Sequence, residues 1–458
     1  MSNKRVLGTF PLVTLSVAAI LSVRNLPIAA VYGYTAITFY VLAALLFFLP
    51  SALVCAELST TWPLKGGLYA WVKEALGEHL GFVAIWLEWV NTVVSFPMMI
   101  GFIVFTLLYP FAHHLADNKF FEFFFMLLVF WGITFVNLFG IRASSLFSSI
   151  GVIFGTLLVI VVIIGLGIYW VLSGHDVQAH FSWAGLWPNF HFSTLAFLIA
   201  VINGFSGIQI MAFHAKETIN PEKTYKRAIF WTGFIILLMS ILGTLAITFV
   251  MPSASPDLIG GIVQSLTVFL SVFHLKWLVP VIALMIAVGV LSEINSWMIG
   301  PSKGLLAAAE EGKLPAFFAL KNKHEIPVGI LIVQAVFGTL LGSAYIFMPS
   351  VNSGYWLLSD LTAQFTIMMW VLLFISAVVL FYKRKETQRA FKIPGKQFGI
   401  WLAGGVGTLT CLVMLVVSYI PPASIIGESG MLRYELFLVG GLFFFIIMPL
   451  LYLKFRNR

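Results

Sequence analysis

Four ionisable side chains lie within long apolar segments of the sequence: Arg24, Glu88, Glu293 and Asp360. At the centre of a bilayer a charged side chain costs about 2.5–3.5 kcal/mol on insertion scales, so such residues are candidates for binding a substrate, an ion or a proton. The alternative is that they pair with one another and hold helices together. For the three acids both interpretations stay open, because either role requires a polar interior that only neighbouring helices can provide.

Two apolar segments also contain residues that interrupt an α-helix. In the first, Pro27 lacks an N–H group and disfavours helical geometry at the residue before it. In the second, Gly204 and Gly207 are three residues apart and have polar neighbours. A simple proline kink and close helix packing through glycine are the alternatives. We predict two broken helices, whose bare N–H groups suit a carboxylate and whose freed carbonyls suit an ammonium, as in an amino acid. The residues that we expect to bind substrate at these breaks are Leu21, Ser22, Val23, Arg24, Asn25, Asn203, Gly204, Phe205, Ser206, Gly207 and Gln209.

The composition indicates that these segments lie in a membrane. Apolar residues make up 60% of the chain and charged residues only 10%, whereas a soluble chain has roughly a quarter of its residues charged. The apolar residues form blocks of about 20, the length that crosses the hydrocarbon core. We predict an all-α integral membrane protein with about twelve transmembrane helices, in one polytopic domain that covers residues 1–458. These spans are numbered 1 to 12 and lie near 6–30, 35–58, 80–109, 120–139, 146–172, 195–213, 228–250, 277–299, 328–347, 355–382, 401–420 and 435–453.

The basic residues predict the orientation of the chain. Of the 26 Lys and Arg residues, Lys119, Lys276 and Arg433 lie in loops on one side, Arg24 lies within a span, and the other 22 lie on the side of the N-terminus. By the positive-inside rule, the chain is a multi-pass protein of the inner (cytoplasmic) membrane with both termini cytoplasmic. The net charge of +8 then faces anionic lipid and requires no nucleic acid.

Several stretches resemble the amino acid–polyamine–organocation superfamily and, within it, the bacterial glutamate/γ-aminobutyrate antiporters. The most specific are GVLSEINSWMIGPSKG at 289–304 and RAFKIPG at 389–395, supported by CAELS at 55–59, GGLYAWV at 66–72, NP at 220–221 and SYIPP at 418–422. The resemblance covers nearly the whole chain. It implies a 5+5 inverted repeat with broken helices 1 and 6, plus two extra C-terminal helices. The first repeat would cover about 6–172, the second about 195–382, and the extra helices about 400–454.

The resemblance also adds site residues in spans 8 and 10. Glu293 and Trp297 match the acidic and aromatic positions of helix 8 in the family, and four residues apart they share one face of the helix. Trp297 would stack against the substrate or occlude it. Thr366 and Trp370 fall where the glutamate antiporters carry tyrosines in helix 10.

At other positions the sequence departs from its relatives. Arg24 and Asn25 replace a tyrosine–glutamate pair, and Gln209 stands where a glutamate is usual in helix 6. The substrate and the acid gating of the antiporters therefore do not transfer to this chain. Because the family fold brings helices 1 and 8 together, we expect Arg24 to meet either a substrate carboxylate or Glu293.

These features predict a secondary active transporter of amino acids across the cytoplasmic membrane, an exchanger or a proton-coupled symporter, with alternating access around a midplane site. Arg24 and Gln209 make the site more positive than in the relatives, which favours an acidic or neutral substrate. The intramembrane acids favour amines, so a polyamine or cationic amine transporter is the alternative. An intramembrane enzyme would need converging acid, base or metal ligands, and the nine histidines lie in loops or near span ends. We predict no catalytic residue, metal or cofactor; protons stay open as a partner, as does the oligomeric state.

Overall fold

The computed structural model describes residues 8–456 except 63–65, 113–114, 116–117, 139–148, 189–191, 214–217, 252–259, 348–350 and 420–430. The described chain is built from helices, in agreement with the predicted fold class. The helices of the spans are Thr9–Ile20 with Asn25–Ala30, Thr35–Thr61, Glu78–Leu108, Lys119–Leu138, Ser149–Leu172, Phe192–Gly204 with Ile210–Phe213, Pro221–Val250, Lys276–Glu310, Val328–Gly342 with Ala344–Phe347, Val351–Lys383, Lys396–Val417 and Met431–Arg456.

Nine helices of this described part are long and apolar enough to cross a membrane. They correspond to spans 2 to 5, 7, 8 and 10 to 12. The predicted spans 1, 6 and 9 are each divided into shorter helices, so the count of twelve stays a prediction.

Span 1 is broken where the sequence predicted. Its first helix ends at Ile20, Leu21 is extended with φ −78° and ψ 111°, and the second helix begins at Asn25. Pro27 lies in the first turn of this second helix, where its missing N–H costs no intrahelical bond. The prediction of a broken helix is therefore confirmed for span 1.

Span 6 is broken in the same way, between Gly204 and Ile210. Gly207 has φ +128°, a conformation that side chains with a Cβ rarely adopt. A Cβ at Gly207 would lie 2.9 Å from Ile20 Cγ1 and 3.1 Å from the carbonyl oxygen of Ala19. The glycine is thus required twice, by its own backbone and by the close approach of the span 1 break.

Span 3 lies at the centre of the helix bundle and spans 4 and 12 lie at its edge. In the most apolar part of span 3, 89% of the residues are buried inside the protein, against 28% in span 4 and 22% in span 12. A helix whose apolar side chains are exposed in this way is stable only against lipid. Span 3 also packs along spans 8 and 10, so these three helices can together enclose a site beside the two breaks.

A helix absent from the predicted spans, Gly261–Val272, lies between spans 7 and 8. Its Phe269 packs with Trp170 of span 5 and Val250 of span 7. Its 12 residues are too few to cross a bilayer, which is why hydropathy assigned the segment to a loop.

The loops with most of the basic residues are held to one another by ion pairs. Lys73, after span 2, lies 2.6 Å from Glu311 after span 8, and Arg384, after span 10, lies 2.5 Å from Glu74. These loops therefore gather at one face of the protein. Such clustering agrees with the single side to which the count of basic residues assigns them.

A buried ion pair also joins span 2 to the connector between spans 10 and 11. Arg389 pairs with Glu57, and both side chains are more than nine-tenths buried. The other carboxylate oxygen of Glu57 accepts a hydrogen bond from the N–H of Ile393 at 2.7 Å. The two sequence stretches CAELS and RAFKIPG are therefore in direct contact.

Candidate functional site

A cavity lies between spans 1, 3, 6, 8 and 10, with an empty volume of about 880 Å³ including its open mouth. The predicted site residues that line it are Arg24, Asn25, Asn203, Gly204, Ser206, Glu293, Trp297 and Thr366. The two breaks and the two matched positions of span 8 thus meet at one place.

A buried ion pair forms one wall of this cavity. Arg24 Nη2 lies 2.9 Å from Glu293 Oε1, and the hydroxyl of Ser22 donates to Glu293 Oε2 at 3.0 Å. Arg24 Nε donates in turn to the Ser22 hydroxyl at 3.1 Å, and the Tyr355 hydroxyl also interacts with Arg24. The non-helical backbone between Ile20 and Asn25 turns Ser22 and Arg24 toward the same carboxylate. The sequence had left a substrate carboxylate and Glu293 open as partners of Arg24, and the structure pairs it with Glu293.

Trp297 connects the two breaks. Its indole N–H donates to the carbonyl oxygen of Ala19 at 3.2 Å. This carbonyl belongs to the last turn of the first half of span 1, where carbonyls have no partner within the helix. On the other side, Trp297 Cζ2 would lie 3.2 Å from a Cβ at Gly207. The half-buried ring therefore contacts both breaks and also lines the cavity.

Seven predicted site residues lie outside this lining. Leu21 and Val23 are buried in the apolar core. Gln209 donates a hydrogen bond to Glu88 of span 3, and Gly207 lies against Ala19 and Trp297. Trp370 packs between Phe47 and Phe374, with ring centroids 5.3 and 5.4 Å away. The family resemblance assigned Trp370 to the site one turn from Thr366, but its ring does not line the cavity. Ser22 and Phe205 line a smaller neighbouring cavity beside Tyr40 and Ser240.

Apart from Asp360 and Thr366, the polar side chains that line the cavity from spans 3 and 10 were not predicted from the sequence. Asn91 and Ser95 are four residues apart and line the cavity from span 3, together with Thr92. On span 10 the lining residues are Tyr355, Ser359, Asp360, Thr362, Ala363 and Thr366. Polar residues at this spacing share one side of a helix, and inside an apolar span that signal was present in the sequence. Within the described residues, no group of three His, Cys, Asp or Glu side chains is placed to hold a metal ion.

The sequence profile of the family described as "Amino acid permease" matches residues 7–444. The chain belongs to this family. Members of the family are transporters, and the predicted membership of the amino acid–polyamine–organocation superfamily is confirmed.

Three relatives of this chain differ in what their names state about a substrate. An uncharacterized transporter of Legionella pneumophila is 41% identical over 99% of this chain and 97% of its own length. A glutamate/γ-aminobutyrate antiporter of Lactococcus lactis is 31% identical over 100% of this chain and 92% of its own. A probable agmatine/putrescine antiporter of the same species is 24% identical over 86% and 84%. The names of the two Lactococcus relatives thus state transport of amino acids in one case and of amines in the other.

Proposed function

We propose that the chain is a secondary active transporter of an amino acid, working by exchange or by proton coupling around the cavity described above. It would lie in the cytoplasmic membrane with both termini cytoplasmic, as two inverted five-span repeats followed by two further helices. The observation that carries the proposal is the meeting of two broken helices at a polar cavity. Such breaks leave N–H and C=O groups for a zwitterion at membrane depth, where irregular backbone is tolerated only beside protein or a wet cavity.

The charges of the cavity favour an amino acid with a neutral side chain. The charge of Arg24 is already matched by Glu293 at 2.9 Å. An acidic side chain that used Arg24 would have to displace Glu293 and leave that carboxylate buried without its cation, which is costly. The α-carboxylate and α-ammonium of a neutral amino acid need no such exchange. The proposed substrate therefore differs from the pair for which the Lactococcus antiporter is named.

An amine is the second candidate, and Asp360 is the observation in its favour. This carboxyl group lines the same cavity from span 10. A carboxylate accepts hydrogen bonds from the N–H groups of an amine, so a cationic substrate could bind beside it.

Counterflow in liposomes tests both candidates. Purified protein is reconstituted, the vesicles are preloaded with one compound, and uptake of the same labelled compound is measured for the twenty amino acids, agmatine and putrescine. We expect neutral amino acids to exchange and glutamate to exchange poorly. Faster exchange of agmatine or putrescine than of any amino acid would favour the amine, and absence of exchange with every compound would contradict transport itself.

A further inference from the structure

A carboxyl group behind the cavity has no role in the function proposed so far. Glu88 in span 3 is fully buried, with 0% of its surface exposed. Its Oε1 accepts a hydrogen bond from Gln209 Nε2 at 3.1 Å, and its Oε2 has no hydrogen-bond partner among the described residues. We propose that Glu88 binds the proton that accompanies the substrate, and that Gln209 connects this proton to the break in span 6. This inference rests on the proposed function and identifies its coupling site.

The surroundings of Glu88 favour a proton rather than a cationic partner. In the part of the chain that the structure describes, no Lys, Arg or His forms an ion pair with this carboxyl group. The titratable group that faces it is the Cys55 thiol of span 2, itself buried and neutral in such a place. At the span 1 break, Arg24 and Glu293 form an ion pair with each other, so the charge of Arg24 is already matched. An ionised Glu88 would therefore be an unmatched charge in an apolar core, which protonation removes.

The hydrogen bonds also determine which oxygen of Glu88 takes the proton. The N–H of Gly207 donates to Gln209 Oε1 at 2.9 Å, so the amide oxygen of Gln209 faces Gly207. Its NH₂ group must then face Glu88, because an amide carries its donors on the other end. Glu88 Oε1 therefore acts as an acceptor, which leaves Oε2 as the oxygen that carries the hydrogen.

The same amide links this proton to the substrate cavity. Gln209 accepts a hydrogen bond from the N–H of Gly207. Gly207 in turn lies against Ala19 and Trp297, which line the cavity. A movement of the span 6 break that admits water to Glu88 would let the carboxyl group release its proton to the solvent. When the break closes, dehydration returns a proton from the solvent to the carboxylate. One proton is bound and released in each cycle, and no other reactant is required.

The experiment compares two variants in liposomes that contain a pH-sensitive dye. Glu88→Gln keeps the size of the side chain and an acceptor for Gln209, but it cannot bind a proton. We expect this variant to retain counterflow and to lose the proton flux that substrate drives. Glu122→Gln is the matched control, because Glu122 in span 4 is also a buried acid, 1% exposed. It should retain both counterflow and proton flux.

Several outcomes would overturn the inference. Proton flux in Glu88→Gln equal to that of the unchanged protein would do so, and so would equal losses in Glu88→Gln and Glu122→Gln. Net uptake driven by a substrate gradient without any proton movement in the unchanged protein would overturn this inference but leave the proposed function intact, whereas absence of counterflow with all compounds refutes the function itself. If Glu88→Gln fails to insert, the unchanged protein is treated with dicyclohexylcarbodiimide, which modifies protonated carboxyl groups in apolar surroundings. Mass spectrometry should find the label on Glu88, and an unlabelled Glu88 in active protein would refute the proposal.

Discussion

Replacing Arg24 by alanine tests whether the ion pair in the cavity wall holds the two helices together. The change removes the 2.9 Å contact with Glu293 and leaves that carboxylate with the Ser22 hydroxyl at 3.0 Å as its hydrogen-bond donor. One neutral donor does not balance a full negative charge in a buried position. We therefore expect Arg24→Ala to lower stability, and the added change Glu293→Gln to restore part of it, because a neutral amide no longer needs the cation.

The size of the loss follows from the burial of the pair. Removing one partner of a buried ion pair costs about 3–5 kcal/mol. Globular proteins unfold with an entropy of roughly 2.1 cal/mol/K per residue, which over 458 residues amounts to about 1 kcal/mol/K. The unfolding midpoint of Arg24→Ala should therefore fall by about 3–5 °C. Membrane helices that stay helical after denaturation release less entropy, so this shift is a lower bound.

The assay is thermal denaturation in detergent at one heating rate, followed by size-exclusion chromatography, since unfolding of such proteins is often irreversible. The unchanged protein, Arg24→Ala, Glu293→Gln and the double variant are compared. Counterflow of the neutral and acidic amino acids is measured on the same samples. A midpoint of Arg24→Ala equal to that of the unchanged protein, or a double variant whose losses simply add, would refute a stabilising pair. Loss of acidic substrates alone from Arg24→Ala would instead assign the guanidinium to the substrate.

Three further predictions concern other parts of the protein. Trp297→Ala should abolish most exchange, measured by transport kinetics, while the protein stays monodisperse. Trp370→Ala should instead lose about 3–5 kcal/mol of stability in denaturation and keep its KM. The reverse pattern would indicate that the substrate binds near Trp370. Glu57→Gln leaves the guanidinium of its partner buried and unpaired, so its midpoint should fall as in Arg24→Ala, and an unchanged midpoint would contradict that pairing. Cysteines placed at Lys119 and Lys392 should react with impermeant reagents from opposite sides, and labelling from one side would refute the predicted topology.

The broken helices were predictable because their causes are local. Pro27 lacks the N–H that would continue a helix from the turn before it, wherever the chain folds, and Gly207 supplies a conformation that other residues rarely adopt. The apolar blocks and the small fraction of charged residues likewise indicate a membrane protein without reference to any contact. Even the pair of Arg24 and Glu293 was one of two expected outcomes, since a buried charge must find a partner and the family resemblance brought spans 1 and 8 together.

The tertiary structure alone decided which side chains face the cavity and which face one another. Thr366 and Trp370 share a helical face in the sequence, yet the first lines the cavity and the second packs against Phe47. Glu88 and Gln209 are 121 residues apart, and Glu57 and Arg389 are 332 apart. Hydropathy and helical periodicity describe each helix by itself, whereas these contacts depend on the rotation and depth of one helix against another. That packing is a property of the whole chain, and no local pattern in the sequence encodes it.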